Sequence, residues 1–181
     1  KLFPHDAETP VFLANAGALY YHRHQYKEAL KYFNTLLRHF PSSEEFAQAR
    51  SAIMESYFGK ADFRSAEIIA RRIANSDASE ETKIRANRRL AESIYLAAEM
   101  LAEEDKHLEA GNEYRRVITE APNSAFADLA LFNAALEYDK ANEYNRAIET
   151  YGALLTTQPK SAYVLDAQNN LAFDYVEVRD Y

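Results

Sequence analysis

One spacing of residues occurs twice in this chain and limits what it can fold into. Both copies contain an aromatic residue, an Ala, a second aromatic residue and a Pro, separated by 3, 4 and 8 residues. They are Tyr26, Ala29, Phe33 and Pro41 in the first copy, and Tyr144, Ala147, Tyr151 and Pro159 in the second. Because the intervals are kept while most other residues differ, the chain is predicted to reuse one structural unit.

The same spacing extends through most of the sequence. Successive members of the Ala position are Ala29, Ala66, Ala110 and Ala147, which lie 37, 44 and 37 residues apart. A Tyr stands nine residues before three of them, at Tyr20, Tyr57 and Tyr138. The sequence therefore predicts a repeat of 37 residues with seven additional residues in one interval.

Each repeat has the pattern of two helices, called here the A helix and the B helix. In "FLANAGALYYH" the apolar residues recur at helical spacing, "RHQY" interrupts them, and "KEALKYFNTLLRHF" restarts them. Gly17 and Ala29 are small enough to let two antiparallel helices approach, while Tyr20 and Phe33 fill the space beside them. Pro41 is predicted to end the B helix. Ser43, Ser124 and Ser161 are predicted to cap the next helix by accepting a backbone N–H bond.

Composition favours helices and excludes several classes of protein. The 181 residues include only 4 Gly and 5 Pro. The net charge of -7 argues against a nucleic-acid partner, because phosphate binding needs a cationic surface. The absence of Cys excludes disulfides and thiolate metal sites. No run of about 18 apolar residues is present, so no direct membrane span is expected.

The pattern resembles the tetratricopeptide repeat family. Its motif of small and aromatic residues in the A helix, then A-x3-F and a closing Pro, is carried by Gly17, Tyr20, Ala29, Phe33 and Pro41, and again by Ala135, Tyr138, Ala147, Tyr151 and Pro159. The resemblance implies an all-α fold, a right-handed superhelical solenoid of antiparallel helix pairs. The connections "PSSEEFAQA", "PNSAFADLA" and "PKSAYVLDA" are similar to those of bacterial envelope proteins, namely the outer-membrane-assembly lipoprotein and the periplasmic coordinator of the Tol-Pal system. That similarity implies a periplasmic or outer-membrane-associated protein, with a cytoplasmic location as the alternative.

The spacing also predicts where the repeats begin and end. The predicted boundaries are an upstream tail over 1–9, repeat 1 over 10–46, repeat 2 over 47–83, repeat 3 over 84–127, repeat 4 over 128–164, and the A helix of a truncated repeat 5 over 165–181. Pro4 lies 37 residues before Pro41, and Asp180-Tyr181 lie 37 residues after Glu143-Tyr144. Both ends are out of phase with a complete repeat, so an excerpt of a longer array is expected.

Repeat 3 holds the seven additional residues, between Ile94 and Ala110. Seven residues are about two helical turns, so they are expected to lengthen the A helix by one to two turns, or both helices by one turn each. The longer hairpin is expected to protrude. Use of this hairpin as a contact point and a benign variation in length remain equal alternatives.

The sequence offers little that could carry catalysis. The five His residues form no pair at i and i+4, and neither a Gly-rich phosphate loop nor a catalytic triad stands out. Arg85, Arg88 and Arg89 are interpreted as part of a solvated helix face. We therefore expect no cofactor, no metal and no enzymatic activity in these residues.

A binding groove lined by the A helices is what the family resemblance implies. Its register places these residues in the groove: Val11, Ala14, Ala18, Tyr21, Ser51, Glu55, Phe58, Glu92, Tyr95, Leu129, Phe132, Leu136, Asp139, Asn169, Phe173 and Val176. The candidate partner-binding residues among them are Tyr21, Phe58, Tyr95, Phe132, Leu136 and Phe173, and Tyr21, Phe58 and Tyr95 are spaced by 37. Such rings could anchor an extended peptide or an amphipathic helix, and the alternative is that they pack between repeats.

These residues favour a non-catalytic scaffold that binds other proteins, in a bacterial cell-envelope complex. The alternatives are a cytosolic chaperone adaptor or regulator, and an enzyme whose catalytic domain lies elsewhere. Some family members hold a partner's terminal carboxylate with Lys, Arg and Asn. Ala14, Ala18 and Phe132 occupy those positions here, so the groove is expected to be apolar and acidic rather than cationic.

Overall fold

The computed structural model describes residues 8–179 and contains nine α-helices and no strand within them. The helices are α1 (Thr9–His22), α2 (Tyr26–His39), α3 (Phe46–Gly59), α4 (Phe63–Ala74), α5 (Glu80–Glu103), α6 (His107–Glu120), α7 (Ala127–Lys140), α8 (Tyr144–Thr157) and α9 (Val164–Arg179). The predicted all-α class is confirmed. The predicted matches at Pro4 and at Asp180-Tyr181 lie outside the described residues.

The chain divides into two compact units, unit 1 up to Ser93 and unit 2 from Ile94 onward. Each unit consists of antiparallel helix pairs packed side by side, and the division falls within α5. The A helices are α1, α3, α5, α7 and α9, and the B helices are α2, α4, α6 and α8. The predicted repeat boundaries remain predictions.

Each pair of helices is closed by one residue in the left-handed backbone conformation. These residues are His24, Ala61, Asp105 and Asn142, with φ of 57°, 58°, 57° and 59°. The amide that follows each of them donates to the carbonyl five residues earlier, as Gln25 N does to Tyr20 O at 2.9 Å. This is a Schellman ending, which satisfies carbonyls at the end of the A helix and reverses the chain.

Close packing within the pairs follows the predicted small and aromatic positions. Ala29 is fully buried and Phe33 is 3% exposed. A Cβ at Gly17 would meet the Phe33 ring at 2.6 Å, so only glycine leaves room for that ring. Tyr138 and Tyr151 are also buried, as expected of packing residues.

The helix ends confirm one prediction and correct another. Pro41, Pro122 and Pro159 each follow directly after the end of a B helix and its last capping residue. The predicted caps at Ser43 and Ser124 are wrong, because α3 and α7 begin three residues after them and the two hydroxyls bond to nothing in the described part. Their carbonyls instead accept from the backbone N–H groups that open the helices, at 3.2 Å each. After Pro159, by contrast, the Ser161 hydroxyl accepts a backbone N–H bond as predicted, from Tyr163 at 3.2 Å, one residue before α9 begins.

The additional residues of repeat 3 all lie in its A helix. α5 has 24 residues, whereas α1, α3 and α7 have 14 each and α9 has 16. α6 keeps the 14 residues of α2 and α8, so the alternative that both helices share the extension is wrong. The excess is also larger than one or two turns, because α5 begins early as well as ending late. No Pro precedes it, and the Ser79 hydroxyl accepts a hydrogen bond from the Thr82 N–H at its first turn.

Candidate partner-binding faces

In unit 1, four predicted groove residues and one additional arginine lie on three A helices. We call these residues the unit 1 face: Tyr21, Glu55, Phe58, Arg89 and Glu92. The centre of this face is the Arg89 guanidinium, which lies 3.7 Å from the centroid of the Phe58 ring. Its Nη2 and Nε donate to the two carboxylate oxygens of Glu55 at 2.6 and 3.3 Å, and its Nη1 donates to Glu92 Oε2 at 2.7 Å. One arginine therefore joins α5 to α3 and covers an aromatic ring.

The interpretation of Arg89 as part of a solvated face is wrong. Its side chain is only 22% exposed, and the carboxylates of Glu55 and Glu92 are 31% and 25% exposed. A planar guanidinium that binds a carboxylate through two N–H groups and stacks on a ring is held more rigidly than a surface lysine would be. Arg85 and Arg88 are exposed on the same helix.

Tyr21 and Phe58 are half-buried, and each contacts the first residue of its own B helix. The Tyr21 ring lies edge-on to Tyr26 with centroids 5.7 Å apart, and Phe58 lies edge-on to Phe63 at 5.4 Å. Burial raises the pKa of the Tyr21 hydroxyl, and the nearby Glu55 charge raises it further. Tyr21 is therefore a neutral hydrogen-bond donor, with part of its ring left for a partner.

In unit 2, we call Tyr95, Phe132, Leu136, Phe173 and Val176 the unit 2 face. The first four are the remaining candidate partner-binding residues, and Val176 is another predicted groove residue. Tyr95 is 8% exposed, its ring centroid is 5.1 Å from Tyr114, and its hydroxyl accepts from Asn133 Nδ2 at 2.8 Å. Burial raises the pKa of the Tyr95 hydroxyl. Tyr95 thus serves packing within unit 2, and little of its ring is left for a partner.

The other residues of the unit 2 face are more accessible. Phe132 is half-buried and stacks on Tyr163, with centroids 5.0 Å apart and ring planes 17° apart. Leu136 is half-buried, whereas Phe173 and Val176 are 61% and 57% exposed. The accessible apolar surface at predicted groove positions of unit 2 is therefore greatest on α9.

A cationic depression on the other helix layer of unit 1 was not predicted. It has a volume of about 440 Å³ and is lined by Lys27, Leu30, Lys31, Asn34, Thr35, Arg38, Tyr57 and Lys60. The spacing of Lys27, Lys31 and Arg38 along one side of α2 was the available signal. Two of its cations have partners, since Lys31 Nζ lies 3.9 Å from Glu28 and Lys60 Nζ lies 3.7 Å from Asp62. The depression is an open and partly neutralised surface.

The described residues contain no group of three or more His, Asp or Glu side chains that could hold a metal ion. None of the helices between residues 8 and 179 combines the length and the apolar character needed to cross a membrane.

Residues 10–43, which include α1 and α2, match a family model described as tetratricopeptide repeat. A second tetratricopeptide repeat model matches residues 129–161, which include all of α8 and most of α7. These two stretches of the chain are similar to tetratricopeptide repeats. Tyr21 lies in the first matched repeat, and Phe132 and Leu136 lie in the second.

A comparison with curated proteins found no match. Solved structures that are similar include "MamA RS-1 ArsTM double mutant", with 15% identity, a TM-score of 0.45, and coverage of 96% of this chain and 86% of that one. Another is "MamA 41-end from Desulfovibrio magneticus RS-1", with 16% identity, a TM-score of 0.44, and coverage of 96% and 87%.

Proposed function

We propose that this chain is a non-catalytic scaffold whose A-helix faces bind protein partners. The observation that carries the proposal is the Phe58 ring of the unit 1 face, which is held in place by Arg89 yet remains partly exposed. A ring that is fixed before binding loses little conformational entropy when a partner covers it. Aromatic residues in such positions supply a large share of the binding energy in protein interfaces.

The chemistry of the unit 1 face favours one kind of partner. Tyr21 and Phe58 offer apolar surface, while two carboxylates surround a single guanidinium. The face therefore carries a net negative charge beside its rings. We expect an extended peptide or an amphipathic helix with an apolar side chain at its centre and a basic residue nearby.

The test is selection of peptides on the intact protein, followed by affinity measurements with two Phe→Ala variants. Phe58→Ala should weaken binding of the selected peptides by at least about 1 kcal/mol, or about fivefold in Kd. Phe12→Ala is the matched control, because Phe12 is 56% exposed and lies nine residues before Tyr21, on the opposite side of α1. Helical content measured by circular dichroism verifies that both variants are folded.

Equal peptide affinity of the wild type and Phe58→Ala would remove the unit 1 face from the proposal. Loss of affinity in both variants would place the binding surface elsewhere.

The finer part of the proposal is that the scaffold works in a bacterial cell-envelope complex, in the periplasm or at the outer membrane. It is supported by the Pro-x-Ser connections "PSSEEFAQA", "PNSAFADLA" and "PKSAYVLDA". The experiment is fractionation of cells that express the tagged, full-length natural protein. Recovery with periplasmic or outer-membrane markers is expected, and recovery with cytosolic markers would favour the chaperone adaptor or regulator instead.

A further inference from the structure

Asp174 of α9 is a buried carboxyl group without an ordinary partner. It is 1% exposed, and neither of its carboxyl oxygens receives a hydrogen bond from an N–H or O–H group of the described residues. The group that faces it is the carboxyl of Asp139 in α7, close enough for a hydrogen bond between the two side chains. Asp139 Oδ1 also has no donor.

Asp139 also accepts a hydrogen bond from a chain of donors. The Tyr151 hydroxyl donates to Asp139 Oδ2 at 2.8 Å, and Asn170 Nδ2 donates to the Tyr151 hydroxyl at 3.0 Å. These bonds connect α9 to α8 and α8 to α7. They satisfy Oδ2 of Asp139 and leave Oδ1 without a donor.

Among the described residues, the ionisable groups that act on Asp174 are carboxyls and a tyrosine. Asp139 on α7 and Tyr151 on α8 face Asp174, and Glu177 lies one turn further along α9. No Lys, Arg or His forms an ion pair with either carboxyl among residues 8–179. Two ionised carboxylates in contact at such a buried position would be strongly unfavourable.

A proton between the two carboxyl groups satisfies this geometry. Protonated Asp174 donates its O–H to Asp139, which then accepts one bond from Tyr151 and one from Asp174. We propose that Asp139 and Asp174 share one proton, and that the pair is a pH-dependent clasp that holds α9 against α7 and α8.

The direction of the titration follows from the surroundings. Burial, together with the nearby Asp139 charge, raises the pKa of Asp174 to about 7. Burial also raises the pKa of Asp139, but the hydrogen bond from Tyr151 opposes that rise. The proton therefore resides mainly on Asp174, although the two groups titrate as a pair.

The clasp is strongest in acid. The folded pair binds its proton more tightly than an unfolded Asp, whose pKa is 3.8. Its contribution to stability is complete below about pH 4 and is lost progressively as the pH rises to about 7. Because α9 carries Phe173 and Val176, loosening of α9 would also alter the unit 2 face, a consequence that rests on the proposed function.

The experiment compares the full chain with Asp174→Asn across this pH range. An Asn at this position donates an amide N–H to Asp139 at every pH, so it replaces the shared proton. The measurement is the hydrogen-exchange protection of α9 amides, corrected for the intrinsic pH dependence of exchange and referred to α6 of the same unit. Asp166→Asn is the matched control, because Asp166 is exposed on the same helix.

In the wild type and in Asp166→Asn, protection of α9 should fall roughly tenfold per pH unit between about pH 5 and pH 7. In Asp174→Asn it should not change with pH. Identical pH dependence in all three proteins would overturn the proposal.

Two further readouts keep the test decisive if Asp174→Asn folds poorly. The side-chain carboxyl carbon of Asp174 in the wild type, followed by NMR, should titrate near neutrality, and titration below about pH 5 would overturn the shared proton. Millimolar Mg²⁺ or Ca²⁺ should leave α9 protection above pH 7 unchanged. A gain in protection on adding either ion would show that the pair is a cation site instead.

Discussion

Ala61 holds a backbone conformation that favours glycine or asparagine. Its φ of 58° lies in the left-handed region, where a Cβ is crowded by the neighbouring carbonyl. The same position in the other three hairpins is His24, Asp105 or Asn142, and Asn and Asp tolerate this region because their short side chains bond locally. Of these four left-handed residues, Ala61 is therefore expected to have the most strained backbone.

Ala61→Gly should raise the free energy of unfolding by about 0.5–1 kcal/mol, because relief of the Cβ strain exceeds the added entropy of the unfolded chain. Urea unfolding measures the change. Asn142→Gly is the control and should change stability by no more than a few tenths of a kcal/mol. A less stable Ala61→Gly variant would show that the turn is not strained.

The Arg89 side chain holds together the centre of the unit 1 face, because it contacts Phe58, Glu55 and Glu92. Arg89→Ala should destabilise the chain by about 1 kcal/mol or more, because Glu55 and Glu92 lose their shared cation and Phe58 loses its cover. The loss should shrink at high salt, which screens partly exposed charges. Arg88→Ala on the same helix should stay within about 0.5 kcal/mol of the wild type. Equal effects of the two substitutions, measured by urea unfolding, would contradict this role of Arg89.

At the scale of the helices, Gly17 and Gly152 both lie within a helix, but only Gly17 is in close contact with a neighbouring helix. Gly17 of α1 has the Phe33 ring in the place of a Cβ, whereas Gly152 of α8 has no atom within 4 Å of that place. Gly17→Ala should destabilise the chain by about 1–3 kcal/mol, because the ring must move. Gly152→Ala should stabilise it by about 0.5–1 kcal/mol through helix propensity. The stability changes of both variants are measured by thermal unfolding. A stabilising effect of Gly17→Ala would contradict the prediction and would mean that α1 and α2 adjust to the added methyl group without a loss of stability.

The extent of α5 shows which part of an element can be predicted from its own residues. The seven additional residues were placed in repeat 3 by counting from Ala66 to Ala110. Their assignment to one helix could not be decided, since two turns in one helix and one turn in each of two helices keep the same faces inward. The early start at Glu80 depends on a missing Pro and on the Ser79 bond to Thr82, which are local signals.

For the whole molecule, the sequence predicted the fold class better than the binding faces. The positions that define the repeat are fully buried, as at Ala29, Ala147 and Tyr151, so their spacing directly records how helices pack. The exposure of a ring depends instead on residues far away in the sequence. Tyr95 is covered partly by Tyr114 and bonded by Asn133, and Phe58 is covered by Arg89. The spacing of Tyr21, Phe58 and Tyr95 contains no information about those neighbours.

The four hairpin turns are closed by bonds between backbone groups, from an amide to the carbonyl five residues earlier. Four different side chains, His24, Ala61, Asp105 and Asn142, occupy the equivalent place. A turn that is closed by backbone bonds forms with several different side chains at this place. Duplication or recombination of a whole hairpin would therefore preserve the connection between its helices, and an array of this kind can gain or lose repeats during evolution without redesign of its turns.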